Sequence, residues 1–201
     1  MYESPAQATP ELARPRLRPR GFGREILETV VLIVAIYALV NLATVRFSVE
    51  GPSMQPTFHT DDVLVVSRVN YMFGLPQRGE IVIFNAPGNA PDEPPYIKRV
   101  IGLPGETVEI RDTKVFVNGR ELYEPYINEP CDAARCRDNS WTLGEGEYFV
   151  MGDNRNHSSD SRAFGAVKLE RIIGEALVRY WPPQHWGLVS HINFPVNPFV
   201  Q

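Results

Sequence analysis

The longest apolar run of the chain, from Ile26 to Val45, constrains its fold more than any other feature. The run reads ILETVVLIVAIYALVNLATV. In a helix that rises about 1.5 Å per residue, this length spans about 30 Å, the hydrocarbon thickness of a bilayer. Glu25 and Glu28 lie at its start, where a helix N-terminus favours negative charge. The run therefore predicts a single transmembrane helix over residues 25–46.

The residues that precede this run form a basic segment. Prolines interrupt any helix in residues 1–24, and arginines outnumber acidic residues there. We expect a disordered tail that contacts the lipid bilayer rather than nucleic acid, because an apolar run follows it. The positive-inside rule predicts that this tail is cytoplasmic and that residues 47–201 lie on the outer face of the cell membrane. The arginines are Arg14, Arg16, Arg18, Arg20 and Arg24.

A cleaved signal peptide is the competing interpretation of the apolar run. Its densest part, Val30–Val40, is only 11 residues long, which is within the range of a signal peptide. Cleavage would require small residues at two positions, one apart, just downstream. The best candidate, Asn41-Leu42-Ala43, has the wrong residue in front. The sequence therefore favours an uncleaved anchor.

From Phe47 onward, apolar residues alternate with polar ones or form short runs, a pattern typical of strands. We predict a mainly β fold in which the transmembrane helix precedes an antiparallel β domain, with an inserted β subdomain at about residues 104–141. Asn118-Gly119 predicts a hairpin turn, and a helix is expected only near residues 168–173. The predicted strands are Val63–Val66, Ile81–Phe84, Tyr96–Leu103, Thr107–Ile110, Lys114–Val117, Glu147–Met151 and Glu175–Trp181.

The charge of this β region excludes one class of function. It holds 14 basic and 20 acidic side chains, whereas a nucleic-acid-binding domain normally presents a basic face. We therefore expect no nucleic-acid partner.

Two cysteines, Cys131 and Cys136, enclose four residues. An isolated pair offers too few ligands for a zinc site, and no second pair of ligands follows at a suitable spacing. On the outer side of a membrane such a pair favours a disulfide bond. We expect no metal and no cofactor.

The segment Gly51-Pro52-Ser53-Met54-Gln55-Pro56-Thr57 places a serine on a turn. Gly51 permits backbone angles that other residues resist, and the two prolines fix φ on either side of the serine. The hydroxyl of Ser53 is thereby presented, either as an ordinary turn residue or as a nucleophile. A nucleophilic serine requires a base nearby.

Lys98 is the candidate base among the three lysines of the chain. It interrupts the apolar segment from Tyr96 to Gly102, whereas Lys114 and Lys168 have polar surroundings. On a strand, Lys98 shares a face with Tyr96 and Val100, so apolar neighbours are expected around its amine. Desolvation there would lower the pKa of the amine, as a lysine base requires. A surface lysine paired with an acid is the alternative.

A polar loop, residues 152–162, follows a predicted strand directly. Its sequence is GDNRNHSSDSR, which does not match the spacing of a calcium-binding loop. The many hydrogen-bond donors and acceptors of this loop either bond to one another or line a functional site. Asp160 and Arg162 are expected to pair with each other, and Ser158 is a candidate to orient the lysine amine.

Taken together and in this order, the serine segment, the segment from Tyr96 to Gly105 (YIKRVIGLPG) and the polar loop resemble bacterial type I signal peptidases. Arg78-Gly79-Glu80-Ile81-Val82 resembles a further segment of that family. The resemblance covers nearly all of the chain after the tail. It implies a membrane-bound serine endopeptidase that removes signal peptides from secretory preproteins after a small-x-small motif.

The resemblance also implies roles for individual residues. Ser53 would be the nucleophile and Lys98 the general base, with Ser158 orienting the lysine and Asp160 and Arg162 bracing the loop. The backbone N–H of Ser53 would form part of the oxyanion hole. Some members have a serine at the position of Gly51, whose hydroxyl completes that hole, and this chain lacks that donor. Four apolar residues match substrate-pocket positions: Phe47, Val49, Met54 and Ile97.

Two other functions are compatible with parts of this pattern. His157 lies in the polar loop, so a Ser53–His157–Asp triad is a rival mechanism. A membrane-anchored β module that binds exported chains without cutting them is the second alternative, but such a module has no need of both Ser53 and Lys98. The Ser-x-x-Lys motif of penicillin-recognising enzymes is absent from the sequence.

Overall fold

The structure, a computed structural model, describes residues 21–90 and 92–190. Residues 1–20 of the predicted tail lie outside the described residues. The chain forms two units, divided between Leu39 and Val40. Helix α1 (Phe22–Ala43) is long and apolar enough to cross a membrane, and all of its large apolar side chains are exposed within this chain.

The helix and the predicted transmembrane span differ at their ends. The helix begins at Phe22 and ends at Ala43, so the three residues 44–46, which we placed in the span, belong to a strand instead. Thr44 and Val45 are β-branched, and they pair with Ser67 and Val66 of the neighbouring strand. Strand pairing therefore ends the helix earlier than hydropathy predicts.

The second unit is mainly β, as predicted, and all of its strand pairs are antiparallel. Its short helices are α2 (Asn70–Phe73) and α3 (Ser161–Phe164). The strands are β1 (Thr44–Ser48), β2 (Val63–Ser67), β3 (Ile81–Phe84), β4 (Tyr96–Gly102), β5 (Thr107–Arg111), β6 (Lys114–Val117), β7 (Arg120–Glu121), β8 (Asn139–Thr142), β9 (Glu147–Met151), β10 (Val167–Lys168), β11 (Ile172–Trp181) and β12 (Gly187–Leu188).

These strands form two sheets. The larger sheet has the order β1-β2-β11-β3-β4-β9-β10, with β12 paired to β11, and the smaller has the order β7-β6-β5-β8. The turn between β6 and β7 is the predicted Asn118-Gly119 hairpin, in which both residues have positive φ, at 51° and 76°. The prediction of a helix near residues 168–173 is wrong. The chain makes one 3-10 turn there and then enters β11.

The smaller sheet falls within the predicted insert of residues 104–141 except for Thr142, the last residue of β8. It shares its core with the larger sheet. Val108 and Val117 of the smaller sheet belong to one buried cluster with Ile101, Phe149 and Met151 of β4 and β9. The two sheets are therefore parts of one unit rather than bodies with separate cores. A different cluster, which includes Leu64, Ile83 and Ile97, underlies the turn that carries Ser53.

Candidate active site

Ser53 lies on a turn that two buried apolar side chains hold against the core. Met54 is 0% exposed and Phe58 is 2% exposed. The backbone closes the turn through hydrogen bonds from Gln55 N to the carbonyl oxygen of Pro52 and from Phe58 N to that of Met54. Gly51 has a φ of 76°, in the left-handed region that favours glycine. The result is a half-buried Ser53 whose hydroxyl is free to face the neighbouring strand.

Lys98 reaches that hydroxyl from strand β4. Its Nζ donates to Ser53 Oγ at 2.8 Å and to the carbonyl oxygen of Ile97 at 2.8 Å. Only 4% of the lysine is exposed, and Nζ lies 5.4 Å from the ring centre of Tyr96, which shares its face of the strand. Within the described residues, no carboxylate lies within ion-pair distance of this amine. The sequence-based alternative of a surface lysine paired with an acid does not describe this geometry.

Burial lowers the pKa of Lys98 to about 8, mainly because desolvation disfavours the ammonium form. The negative charges of Asp160 and Asp153 act in the opposite direction, and the positive charge of Arg162 assists the lowering. A substantial fraction of the amines is therefore neutral near pH 8. A neutral amine at hydrogen-bond distance can accept the hydroxyl proton of a serine.

The polar loop packs directly onto the serine turn. A Cβ atom on Gly152 would lie 2.3 Å from Ser158 Oγ and 2.5 Å from the carbonyl oxygen of Ser53, so no larger residue fits there without a shift of the backbone. Asn154 N donates to the same Ser53 carbonyl oxygen at 3.1 Å. The loop therefore fixes the backbone of Ser53 through its carbonyl oxygen.

Asp160 and Arg162 form the predicted ion pair inside this loop. Arg162 Nη2 donates to Asp160 Oδ2 at 2.7 Å, and Arg162 Nε donates to Oδ1 at 2.8 Å. Oδ2 also accepts from the backbone N–H of Gly152 at 3.0 Å. Burial alone would raise the pKa of Asp160, but Arg162 and the Gly152 N–H lower it below its usual value. The carboxylate thus stays charged and joins the two ends of the loop.

The structure does not bring Ser158 and Lys98 into a hydrogen bond. Ser158 Oγ is buried and has no partner of standard hydrogen-bond geometry among the described residues, although it lies near enough to Asp160 to help keep the pKa of that carboxyl low. His157 is exposed, and within the described part of the chain its side chain makes no hydrogen bond to Ser53.

The sequence analysis missed a buried network that joins the three segments. Arg99 is 1% exposed and donates to both carboxylate oxygens of Asp153, at 2.8 and 2.6 Å. Thr57 of the serine turn donates to Asp153 Oδ2 at 2.5 Å. The signal was present in the sequence: Arg99 lies on a face shared with Ile97, and a buried arginine requires an acidic partner.

A cleft of about 610 Å³ opens beside the serine and the lysine. Phe47 and Ile97 line it, together with Pro52 and Tyr96. The other two predicted pocket residues, Val49 and Met54, do not line the cleft. They are 1% and 0% exposed and pack in the core cluster beneath it.

Cys131 and Cys136 form a disulfide bond. Arg162 Nη1 contacts its two sulfur atoms, Cys136 Sγ at 3.2 Å and Cys131 Sγ at 3.5 Å. The same arginine therefore contacts the disulfide and pairs with Asp160 of the polar loop.

Comparison with known proteins places this site in a family. The model of the family "Signal peptidase, peptidase S26" matches residues 23–181. The chain is 39% identical over 189 residues to the probable signal peptidase I-1 of a Synechocystis strain, covering 84% of this chain and 89% of that protein. It is 34% identical over 197 residues to the signal peptidase I of Leptolyngbya laminosa, covering 92% and 94%. The chain belongs to the signal peptidase family, peptidase S26.

Solved structures also match. A crystal structure of a signal peptidase I from Enterococcus faecalis is 40% identical in sequence, covers 50% of this chain and 96% of that chain, and superposes with a TM-score of 0.44.

Proposed function

We propose that this chain is a membrane-anchored serine endopeptidase that removes N-terminal signal peptides from exported preproteins, with Ser53 as nucleophile and Lys98 as general base. The observation that carries the proposal is the contact of 2.8 Å between Lys98 Nζ and Ser53 Oγ, made by an amine that is almost fully buried. Relatives named signal peptidase I, which the chain matches over most of its length, support the choice of substrate.

The proposed reaction has two steps. In the first, the neutral amine of Lys98 takes the proton of Ser53 as Oγ attacks the carbonyl carbon that precedes the scissile bond. The resulting ammonium gives that proton to the departing amine of the mature protein, and the signal peptide remains attached to Oγ as an ester. In the second, Lys98 takes a proton from water, the hydroxide attacks the ester, and Ser53 recovers its proton as the signal peptide leaves.

The negative charge that develops on the carbonyl oxygen requires hydrogen-bond donors. The backbone N–H of Ser53 is the first proposed donor. Gly51 has no hydroxyl to offer as a second, so the second donor differs from that of the relatives that have a serine at this position. We propose that Ser158, whose buried hydroxyl has no other partner of standard geometry among the described residues, orients the Lys98 amine when substrate fills the cleft. Asp160 and Arg162 would hold the loop that carries it.

The cleft supports recognition of a small side chain next to the scissile bond. Phe47 and Ile97 supply apolar surface beside Ser53, while Val49 and Met54 pack behind that surface and would limit how far it can yield. An extended substrate could place alternate side chains in shallow apolar pockets of this kind, as in other modes of strand recognition. A preference for small-x-small sequences follows.

The proposed site of action is the outer face of the cell membrane. Helix α1 has the length and composition of a single span, and the basic residues before it favour a cytoplasmic N-terminus. The disulfide bond between Cys131 and Cys136 is consistent with an oxidising compartment on the other side. The partners are then secretory preproteins and the lipid bilayer.

Cleavage of a preprotein by the detergent-solubilised chain tests this function. Ser53→Ala and Lys98→Ala should each abolish product formation, because each removes one of the two groups that move the proton. The matched controls are Ser140→Ala, an exposed serine of β8, and Lys168→Ala, an exposed lysine. Both controls should cleave at close to the rate of the unchanged chain.

The same assay separates the alternatives. Loss of cleavage in His157→Ala with retention in Lys98→Ala would establish the triad mechanism instead. Equal product from the unchanged chain and from Ser53→Ala would eliminate Ser53 as nucleophile. Binding of the preprotein without any cleavage would identify a non-catalytic module.

A further inference from the structure

Two carboxylates line the cleft beside Ser53 and have no part in the proposed proton transfer. Glu50 precedes the serine turn, and Glu93 lies in the loop before β4; both residues are exposed. Among the described residues, neither side chain makes an ion pair or a hydrogen bond. Both charges are therefore available to a charged group of opposite sign on the substrate.

The side chain of Glu50 lies on the face of its segment opposite to the apolar pocket residues. Side chains alternate between two faces along an extended chain. Phe47 is half-buried and Val49 is 1% exposed. Arg46, Ser48 and Glu50 are exposed. The segment thus has an apolar face towards the core and a polar outward face, on which Glu50 is the position nearest to the serine turn.

The backbone of this segment has a free edge on which an extended substrate can pair. In the part of the chain that the structure describes, β1 pairs only with β2. Val49 N donates to the carbonyl oxygen of Asp62 at 2.8 Å, and Val49 O accepts from Asp61 N at 2.9 Å. The backbone groups of Val49 therefore face the β2 side, and those of its neighbours Ser48 and Glu50 face the free edge. Both of these neighbours line the cleft.

We propose that Glu50, helped by Glu93, selects substrates with a basic side chain at the middle residue, x, of the small-x-small motif. This inference rests on the proposed function, in which Ser53 attacks the carbonyl carbon of the second small residue. If the two small side chains enter pockets beside Phe47, the side chain of x points to the outward face. Neighbouring side chains on paired strands lie about 5 Å apart at Cβ, so a lysine or arginine at x reaches the carboxylate of Glu50.

Arg46 restricts this preference to one position of the substrate. It lies on the same outward face as Glu50, four residues earlier, which is about 13 Å away in an extended chain. That distance exceeds the Debye length of about 8 Å at physiological ionic strength. A basic side chain is therefore favoured beside Glu50 and disfavoured beside Arg46.

Cleavage of three matched peptides by the detergent-solubilised full chain tests the proposal. The peptides carry Ala-Lys-Ala, Ala-Gln-Ala or Ala-Glu-Ala before the scissile bond and are otherwise identical. The value of kcat/KM should fall in the order Lys, Gln, Glu, by about two- to fivefold at each step, as expected for exposed opposite charges. At a salt concentration of about 1 M, where the Debye length is about 3 Å, the three values should converge.

Variants of Glu50 assign the preference to this residue. Glu50→Gln should remove most of the difference between the Lys and Gln peptides, and Glu50→Lys should make the Glu peptide the best of the three. The matched control is Glu145→Gln, which removes the same charge from the loop between β8 and β9, outside the cleft, and should keep all of the ratios. Ratios that survive Glu50→Gln, or that change equally in Glu145→Gln, would overturn the proposal.

The same peptides separate this proposal from the proposed function. Equal kcat/KM for all three peptides in the unchanged chain would overturn the preference and leave the proposed function intact. Cleavage of none of them would overturn the proposed function and this inference with it.

Binding provides a second measurement that does not depend on the chemical step. Fluorescently labelled peptides should bind to Ser53→Ala, which lacks the nucleophile, with a dissociation constant several-fold lower for the Lys peptide than for the Glu peptide. The double variant Ser53→Ala/Glu50→Gln should lose most of that difference. Equal dissociation constants for the two peptides in Ser53→Ala would show that Glu50 does not contact the bound substrate, which contradicts the proposal.

Discussion

At the scale of single residues, the protonation state of Lys98 decides what the site can do. The residue is 4% exposed, and its amine has two neutral oxygen acceptors, Ser53 Oγ and the Ile97 carbonyl oxygen. The lowered pKa of about 8 corresponds to a cost of about 3 kcal/mol for the charged form relative to a lysine in water. That cost is what makes the neutral amine available to a serine near physiological pH.

The first prediction concerns pH. Because the neutral amine is the proposed base, kcat/KM should rise with pH and level off above an apparent pKa of about 8, the pKa of Lys98 in the free protein. Below that pH, activity should fall about tenfold per unit, since the neutral fraction falls by that factor. Initial rates on a soluble peptide across the range from acid to mildly alkaline pH provide the measurement. A rising limb centred near 6.5 would indicate a histidine base instead.

Sequence reasoning selected Ser53 and Lys98 as candidates because each lies in a short segment whose composition is unusual for its setting, and the structure places their side chains within hydrogen-bond distance. It did not find the Arg99–Asp153–Thr57 network, because pairing between segments that are far apart in the chain depends on the fold. It expected a hydrogen bond between Ser158 and Lys98, and the described residues instead leave Ser158 Oγ without a partner of standard geometry.

At the scale of secondary-structure elements, the segment after β7 supports the polar loop. Arg155 of that loop is 3% exposed and donates to Glu124 through two bonds, at 2.9 and 2.6 Å. Burial alone would lower the pKa of Arg155, but Glu124 more than offsets it and the pKa is raised. Tyr126 of the same segment places its ring 4.3 Å from the guanidinium of Arg99. The segment between β7 and β8 therefore stabilises the site without lining the cleft beside Ser53.

The second prediction is that Glu124→Gln destabilises the fold. Loss of the carboxylate leaves Arg155 buried without a counter-charge, at a cost of about 3 kcal/mol. The matched control is Glu121→Gln, which removes an ion pair with Lys114 near the surface. The side chains of Glu121 and Lys114 are 30% and 58% exposed. This change should lower the free energy of unfolding by less than about 1 kcal/mol. Urea denaturation of both variants measures the difference. Equal costs would mean that Glu124 does not compensate Arg155.

The strands that the sequence predicted most accurately are those with the strongest apolar or alternating pattern. Strands β3, β6 and β9 have the predicted bounds, because each is a short run with strong apolar or alternating character. The missed strands have other causes. β7, β10 and β12 have two residues each and exist only as partners of longer strands. β8 is mostly polar and exposed, and the first residues of β1 were assigned to the apolar run before it.

At the scale of the whole molecule, the shared core couples the smaller sheet to the site. The ring of Trp141 in β8 packs at a tilt against that of Phe149 in β9, with ring centres 4.7 Å apart. Strand β9 leads directly into the polar loop. Removing the smaller sheet would expose apolar surface of Ile101, Phe149 and Met151. We therefore expect the β unit to unfold as one body.

The third prediction follows from this coupling. Val117→Ala, in the smaller sheet and 0% exposed, should lower the free energy of unfolding by about 2 kcal/mol. The urea midpoints for loss of Trp141 fluorescence and for loss of peptide cleavage should move together, as a two-state transition requires. The fluorescence of Trp141 is isolated by making the substitutions Trp181→Phe and Trp186→Phe in all of the proteins compared. A fluorescence transition that precedes the loss of activity would show that the smaller sheet unfolds independently.

The adjacency of Lys98 and Arg99 on β4 has an evolutionary consequence. The side chains of successive residues in a strand point to opposite faces. Lys98 therefore contacts Ser53, and Arg99 contacts Asp153. Deleting or inserting one residue within Tyr96–Gly102 would exchange these two directions and send the permanently charged guanidinium towards the hydroxyl. Homologues should therefore tolerate substitutions in this strand at positions other than Lys98 and Arg99, but vary in length only outside it, for example in the loop between Phe84 and Tyr96.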